Sequence, residues 1–449
     1  MTWREYHEST KHTVEKLARS THFLDWANMP DPFRHYEGVP VLDLPADPPA
    51  PEASPALDGA AFLSQLLFYS AAISASKRVP STGDKHSLRV NPSSGNLHPT
   101  EFHFFTRGLR DWTDGLYHYR PSSHMAEQRA LGVAGYAAPV VFVLTSIAWR
   151  EAWKYRDRAY RYCLLDIGHA WQALALAAQG MGCDSFAVGH FVDDEVAQLC
   201  RLHEDEWPML MVEVRPRLET ENHEAVWFGG VANQLSKESI AYPAINAVQE
   251  ATKAVVEAPS IRGFGEVARR RRSALDFQGG QRTMLLAHLM EILAVASEPF
   301  RGDFAGARFI QLYLYVHRVD GLQPGVYKFA SERAELEAVK LGDQRVVAAG
   351  LSLGQDLAGN ACVAFSMIGD LERAVHIHGA RGYRYVHFEA GAIGQRMYLA
   401  AEALGMGATG IGAFYDDAVH RYLNLTPERG QVVYHFAIGH PVPDLRLEA

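Results

Sequence analysis

Ala159-Tyr-Arg-Tyr-Cys-Leu-Leu-Asp-Ile-Gly-His-Ala-Trp-Gln172 returns, altered but in register, as Gly382-Tyr-Arg-Tyr-Val-His-Phe-Glu-Ala-Gly-Ala-Ile-Gly-Gln395. Tyr160 and Tyr383 are 383 − 160 = 223 residues apart, and the same offset carries Gly168 to Gly391 and Gln172 to Gln395. It also carries Ala177-Ala178 to Ala400-Ala401, Gly182 to Gly405, Gly189 to Gly412, Phe191 to Phe414 and Asp193-Asp194 to Asp416-Asp417, and upstream it carries Phe142 to Phe365. Further upstream, Gly115-Leu-Tyr against Gly325-Val-Tyr gives 325 − 115 = 210, so one insertion or deletion separates two registers. A run of matches this long is a repeat rather than shared composition. Two fused copies of one fold are expected to pack as the subunits of a symmetric dimer do, about a pseudo-twofold axis. Such a pair starts with two equivalent sites, and fusion frees one of them to decay.

Apolar positions Phe62, Leu66, Leu67, Tyr69 and Ile73 predict a core helix over 58–74, with its counterpart at Arg282–Ser297. Strands are expected at Phe102–Phe105, Gly115–Tyr119, Val140–Leu144, Asp184–Val188 and Met209–Val214. Helices are expected over 1–20, 150–180 and Asp193–Arg201, and Ser74–Gly83 reads as a loop. Helices alternate with strands without a strict βα repeat, which gives an α+β class. Residues 28–57 carry Pro30, Pro32, Pro40, Pro45, Pro48, Pro49, Pro51 and Pro55 and read as an extended segment that wraps or covers something. The expected organisation is a first domain over 1–215, a polar connection over 216–262 with a helix-like part at 245–256, and a second domain over 263–449.

At 449 residues the chain exceeds what one core serves. A formal net charge of −9 argues against bulk nucleic-acid or acidic-membrane binding. No signal-peptide core and no apolar run of spanning length is visible. Cys163, Cys183, Cys200 and Cys362 lack CxxC spacing, which suits a reducing, cytoplasmic setting. His376-Ile-His378 is the best histidine pair; at a helix start it is expected to be exposed or capping, so no metal site is expected.

The copies differ where chemistry concentrates. In Pro92-Ser93-Ser94-Gly95-Asn96 the proline fixes φ, the glycine is free to take φ > 0, and three short polar side chains gather where the backbone can approach a planar polar ligand. At the offset of 210 the second copy has Gly302-Asp-Phe-Ala-Gly306, without that chemistry. The second copy instead opens with Arg269-Arg-Arg-Arg-Ser273, whose nearest relation in the first is Thr10-Lys-His-Thr13. Guanidinium groups followed by a hydroxyl suit a phosphate monoester.

Together these features resemble the nitroreductase-like FMN flavoprotein superfamily, and more closely its SagB-type (azoline) dehydrogenase branch. The resemblance implies a three-layer sandwich in two tandem copies forming an intramolecular pseudo-dimer. It implies an FMN phosphate held by Arg271, Arg272, Ser273 and Arg446, and a flavin ring bordered by Pro92, Ser93, Ser94, Gly95 and Asn96, with Gly412 near its reactive edge. Leu275 stands where the family has a further basic residue. Lys154-Tyr155 matches the branch's Lys-Tyr pair, and the second copy has Ile377-His378 there. The superfamily's dimers draw the two elements of each site from different subunits. This chain keeps one element in each copy, so one complete site and one FMN per chain are expected. In a dehydrogenase, Lys154 would take a proton from a small-molecule or peptide-derived substrate and Tyr155 would relay it or position the substrate, while the flavin accepts hydride. Two alternatives stand beside this: an NAD(P)H-dependent reductase of nitro compounds or quinones, and a flavin-sequestering protein with 28–57 as a lid. A monomer is expected, with no nucleic-acid or membrane partner.

Overall fold

The computed structural model describes residues 1–21, 23–56, 58–78, 80, 83–132, 136–216, 261, 263–280 and 282–447. The first copy contributes β1 (Val41–Asp43), the hairpin β2 (Ile73–Arg78) and β3 (Lys85–Arg89), and strands β4 (Thr100–Thr106), β5 (Gly115–Arg120), β6 (Met125–Leu131), β7 (Val140–Ile147), β8 (Cys183–Val188) and β9 (Glu206–Pro216). Its large sheet runs β1-β6-β5-β4-β7-β9-β8 and is antiparallel throughout. The second copy has a short pair, β10 (Met284–Leu285) and β12 (Val319–Asp320), and a sheet of β11 (Ile310–Val316), β13 (Gly325–Ala330), β14 (Glu335–Leu341), β15 (Val363–Gly369), β16 (Gly407–Ile411) and β17 (Gln431–Gly439). That sheet runs β14-β13-β11-β15-β17-β16, the same path without the β1 edge. The registers agree as well. His103 faces His118 as Tyr313 faces Lys328, and Phe104 faces Phe142 as Leu314 faces Phe365.

The helices are α1 (Trp3–Ser9), α2 (Val14–Ala18), α3 (Gly59–Phe68), α4 (Ala148–Tyr155), α5 (Ala159–Gly180) and α6 (Asp193–Cys200), then α7 (Phe264–Arg270), α8 (Leu286–Ser297), α9 (Arg345–Leu351), α10 (Asp356–Asn360), α11 (Leu371–His378), α12 (Gly382–Ala403) and α13 (Asp416–Leu423). β4 and β7 are buried on both faces, which is why neither shows a clean polar alternation. Phe102, Phe104, Phe142 and Leu144 join the central core with α5, while Phe105, Val141 and Val143 pack outward with Val196 and Cys200 of α6. In the second copy α9, α10 and α13 cover the outer face. Each copy is thus three layers: outer helices, sheet, inner helices. The 223 − 210 = 13 residues that separate the registers fall between β14 and β15, where α9 and α10 lie.

At the centre α5 and α12, 22 residues each, cross at Gly168 and Gly391. A Cβ on Gly168 would stand 2.2 Å from the Phe388 carbonyl oxygen, and one on Gly391 would stand 2.1 Å from that of Leu165. The offset of 223 interchanges these two contacts, so the pseudo-twofold axis passes between them. Ion pairs repeat the symmetry. Arg158 and Arg161 reach Asp416 at 3.1 and 2.8 Å, while Arg384 reaches Asp193 at 2.6 Å and Arg381 pairs with the same carboxylate.

The proline-rich segment is a strap whose carbonyls are bound by the body of the protein. Ser64 donates to Pro45 at 2.6 Å, Tyr69 to Pro48 and Gln65 to Pro49 at 2.9 Å, and Arg89 to Pro32 at 2.7 Å. Prolines lack an N–H, so a segment rich in them is tied down through its acceptors.

Several local expectations are corrected. The helix expected over 58–74 ends at Phe68, where Ser70 turns its hydroxyl back onto the Leu66 carbonyl, and Ile73 opens β2. The stretch read as a loop therefore begins with a strand, stabilised by a partner at Lys85–Arg89 that local pattern does not reveal. The helix expected over 150–180 is broken after Tyr155, where Arg156 takes φ +52°. The N-terminal helix is two short ones, α1 and α2. His376 and His378 occupy the last turn of α11 rather than its start. The helix-like part at 245–256 lies outside the described residues.

Adding a methyl group at Gly168 sets it against backbone rather than a movable side chain. Gly168→Ala is expected to cost about 2–3 kcal/mol by the usual magnitude for overpacking, read as a lowered midpoint in chemical denaturation.

Candidate active site

Pro92, Ser93, Ser94, Gly95, Asn96, Lys154, Tyr155, Arg271, Arg272, Ser273, Gly412 and Arg446 all line one cavity of about 590 Å³, a size usual for cofactor sites. Both copies contribute walls. Among its described residues the strap at 28–57 contributes no lining residue, so the lid considered from sequence is not placed over this cavity.

The first wall is the turn after β3. Gly95 and Asn96 both take φ +61°, a left-handed pair that glycine and asparagine tolerate. Asn96 donates its side-chain amide to the Ser87 carbonyl at 2.9 Å and meets the His98 ring at 3.0 Å. The Ser93 hydroxyl accepts the His98 N–H at 2.8 Å. Ser94 gives its N–H and its hydroxyl to Asp166, at 3.2 and 3.1 Å.

Lys154 and Tyr155 end α4 and lean over this turn. A Cβ on Gly95 would meet the Tyr155 hydroxyl at 2.7 Å and Lys154 Nζ at 3.1 Å, so glycine is required by close approach as well as by its φ. The Tyr155 ring meets Tyr162 edge-on at 4.5 Å, and burial, with Glu151 nearby, raises its phenol. Tyr162 donates to the Gly412 carbonyl at 3.1 Å, and a Cβ at Gly412 would lie 2.3 Å from the Tyr162 ring. The second copy's loop is thus seated on the first copy's helix.

The opposite wall comes from the end of α7. The Arg271 guanidinium is buried, donates to the Val90 and Arg89 carbonyls at 3.1 Å each, and lies over the Tyr398 ring. Its remaining Nη1 is buried with no partner among the described residues. Burial lowers Arg271, and burial with the charges of Arg271 and Arg269 lowers Arg272 to about 10. Crowded cations with a free donor favour an anion. Arg272 itself donates to the backbone of Arg269 and Ser74 at 2.8 Å. Ser273 meets the Tyr398 hydroxyl at 2.9 Å, and that hydroxyl accepts the Gly410 N–H at 2.7 Å. Arg446 is held by Asp444 at 2.8 and 3.0 Å, and Lys77 reaches the same carboxylate at 3.2 Å.

Sequence reasoning missed Lys77, Glu151, Asp166 and His169. Lys77 was hidden by the loop assignment of its strand. The others carried a signal, because they lie where the two copies disagree within the best-matched run: Glu151 faces Ala374, Asp166 faces Glu389, and His169 faces Ala392. His169, pushed down to about 3 by burial, touches Tyr434 at 3.1 Å and Gln395 at 3.3 Å as a neutral ring.

The pseudo-symmetric location is built differently, beside a smaller cavity of about 330 Å³ that Phe304, Ala305, Gly306, Arg308 and Glu389 help to line. The Asp303 N–H donates to the Ala187 carbonyl at 3.0 Å, and the Asp303 carboxylate accepts the Gly189 and His190 N–H groups at 2.8 and 3.0 Å. Phe304 stacks on Tyr385, with centroids 4.3 Å apart and planes at 15°. Phe304, Tyr385 and Gly189 are the counterparts of Ser94, Tyr162 and Gly412. Phe304 thus sets a stacked ring where Ser94 presents a hydroxyl in the first copy.

A family model described as Nitroreductase matches residues 68–214 and 269–440, so both halves are covered, and the chain belongs to the nitroreductase family. Over 125 residues it is 34% identical to a candidate nitroreductase of Methanocaldococcus jannaschii, covering 27% of this chain and 62% of that protein. The chain thus spans less than two thirds of that relative's length. A solved structure of a candidate nitroreductase from Anabaena variabilis is 25% identical, with a TM-score of 0.79 over 98% of this chain and 99% of that one. Among the described residues no helix is long and apolar enough to cross a membrane.

The Gly412 loop precedes Asp416, whose carboxyl burial would raise but Arg158 and Arg161 hold below the usual range. Asp416→Asn is expected to cost about 3–5 kcal/mol near neutral pH, the usual magnitude for breaking a buried pair. An acid with a depressed pKa stabilises above its unfolded value, about 3.9, and loses that contribution as pH falls through the folded one. The gap between wild type and variant should therefore narrow in denaturation curves taken below about pH 4.

Proposed function

We propose that this chain is an FMN-dependent oxidoreductase of the SagB dehydrogenase type, oxidising a small-molecule or peptide-derived substrate at one composite site. The observation that carries the reading is the meeting of Lys154 and Tyr155 with Gly95, over the cavity that Arg271–Ser273 close from the other copy. The residues fit the cofactor: Arg271 Nη1 is a buried donor with no acceptor among the described residues, and Gly410 and Gly412 bring backbone without side chains to the cavity lining. Arg271, Arg272, Ser273, Arg446 and Lys77 would hold the phosphate, and Pro92–Asn96 with Gly412 would border the ring. When bound, FMN supplies the hydride acceptor. Lys154 takes the proton from the substrate carbon or nitrogen, and Tyr155 orients the substrate through its hydroxyl. The Phe304–Tyr385 stack at the pseudo-symmetric location, where the chemistry of the Pro92–Asn96 turn is missing, supports a single cofactor per chain and a monomer that is its own pseudo-dimer.

Three measurements test this. Absorbance of the purified protein against its concentration should give one FMN per chain; two tightly bound would overturn the composite site. Arg271→Ala should weaken FMN binding about tenfold to a hundredfold, the effect of losing one charge-assisted hydrogen bond. Lys154→Ala should keep the bound flavin and lose turnover by about a hundredfold or more. Rapid anaerobic bleaching of the wild-type flavin by NADPH would instead support a nitro or quinone reductase.

A further inference from the structure

Glu151 and Asp166 lie together behind the Ser93–Ser94 turn, and the reading of function above gives neither of them a role. Their exposures are 0% and 2%. Both Asp166 oxygens accept the Ser94 N–H at 3.2 Å, and one also accepts the Ser94 hydroxyl. Glu151 Oε1 accepts the Ser93 hydroxyl at 3.4 Å, while Oε2 is buried with no donor among the described residues. The two buried carboxyl groups thus accept from adjacent residues of one turn. A carboxylate is an acceptor only, and a proton shared with its neighbour would satisfy Glu151 Oε2. Buried like charges at contact cannot both ionise near neutrality.

We propose that Glu151 and Asp166 hold one proton between them, and that this pair is the positioning element that fixes the Ser93–Asn96 turn beneath Lys154 and Tyr155. The second copy supports the assignment. At the offset of 223 it has Ala374 in place of Glu151, and Glu389 in place of Asp166. Glu389 accepts the backbone N–H groups of Phe309 and Ile310 at 2.9 to 3.2 Å and serves a structural turn. The carboxyl pair thus exists only in the copy that keeps the polar turn. Among the described residues, the titratable and charged groups that face it are Lys154 and Tyr155 of α4, Cys163 of α5 and Tyr434 of β17; Lys154 is the one cation among them. Burial, followed by the Asp166 charge, raises Glu151, and burial raises Asp166 to about 7. Groups raised in the folded state contribute stability at low pH and lose it as pH rises through the folded value. The turn should therefore loosen on the alkaline side, when the pair becomes doubly negative.

The inference builds on the flavin-site reading for where it acts, yet its first test uses full-length protein without flavin. An infrared difference spectrum of wild type minus Glu151→Gln near neutral pH should show a protonated-carboxyl C=O band, shifted in heavy water. Glu389 is present in both proteins and cancels. Absence of the band overturns the proposal. The second test is amide hydrogen exchange over residues 91–97. Wild-type protection, corrected for intrinsic exchange, should fall about tenfold or more between about pH 6 and about pH 9, the scale of one to two pKa units. Glu151→Gln should keep its protection, because its amide donates to Asp166 and cannot be titrated; an equal fall in both proteins overturns the proposal. Asp166→Asn serves the same comparison if the glutamine variant does not fold, since its amide donates to Glu151. A protein that passes both tests but binds no FMN would retire the flavin reading and leave the pair standing.

Discussion

The contact of Gly168 with Gly391 sets the distance between the two long central helices, and that distance sets everything the helices carry. Tyr162 and Asp166 lie within two turns of Gly168 on α5; Gln395 and Tyr398 lie within two turns of Gly391 on α12. Tyr162, Asp166 and Tyr398 line the cavity. Were the helices one methyl group further apart, Tyr162 would not reach the Gly412 carbonyl, and the loop after β16 would lose its seat. The reciprocal ion pairs at Asp416 and Asp193 pin the same two helices at their N-terminal ends, so the relative orientation of the copies is fixed at the axis and at both flanks.

Symmetry about that axis holds for the frame and fails for the chemistry. Strand order and register repeat, yet the segment before β4 is a polar turn and the segment before β11 is a backbone ladder to Ala187 with a stacked phenylalanine. The difference has a direct physical basis. A polar cavity leaves donors such as Arg271 Nη1 needing an acceptor, whereas an apolar ring against Tyr385 is self-sufficient. Phe304 places that ring at the position where Ser94 presents a hydroxyl to the cavity of the other half.

The repeat was legible because it rests on residues that sequence shows without ambiguity. Glycines at a helix crossing, a Tyr-Arg-Tyr triplet and paired aspartates at a helix start keep their identity, since backbone contacts and buried charges tolerate few substitutes. The candidate site was legible for a related reason: a proline-serine turn and an arginine run announce their donors. What stayed hidden depends on partners remote in sequence. β2 is a strand only because Lys85–Arg89 returns beside it, and the break after Tyr155 is a single backbone torsion at an arginine. The strap's course is written in acceptors, which leave no pattern in a segment read for its side chains. Glu151 and Asp166 look like ordinary helix-surface acids until the fold buries both at one point.

The composite cavity has a kinetic meaning as well. In an assembly of separate subunits, a site shared between them exists only to the extent that the subunits are associated, and it fades on dilution. Here both walls belong to one chain, so their meeting is intramolecular and its equilibrium is independent of protein concentration. Tandem fusion thus turns an association constant into a folding constant, and a cell holding a few molecules of this protein has the same fraction of complete sites as one holding many.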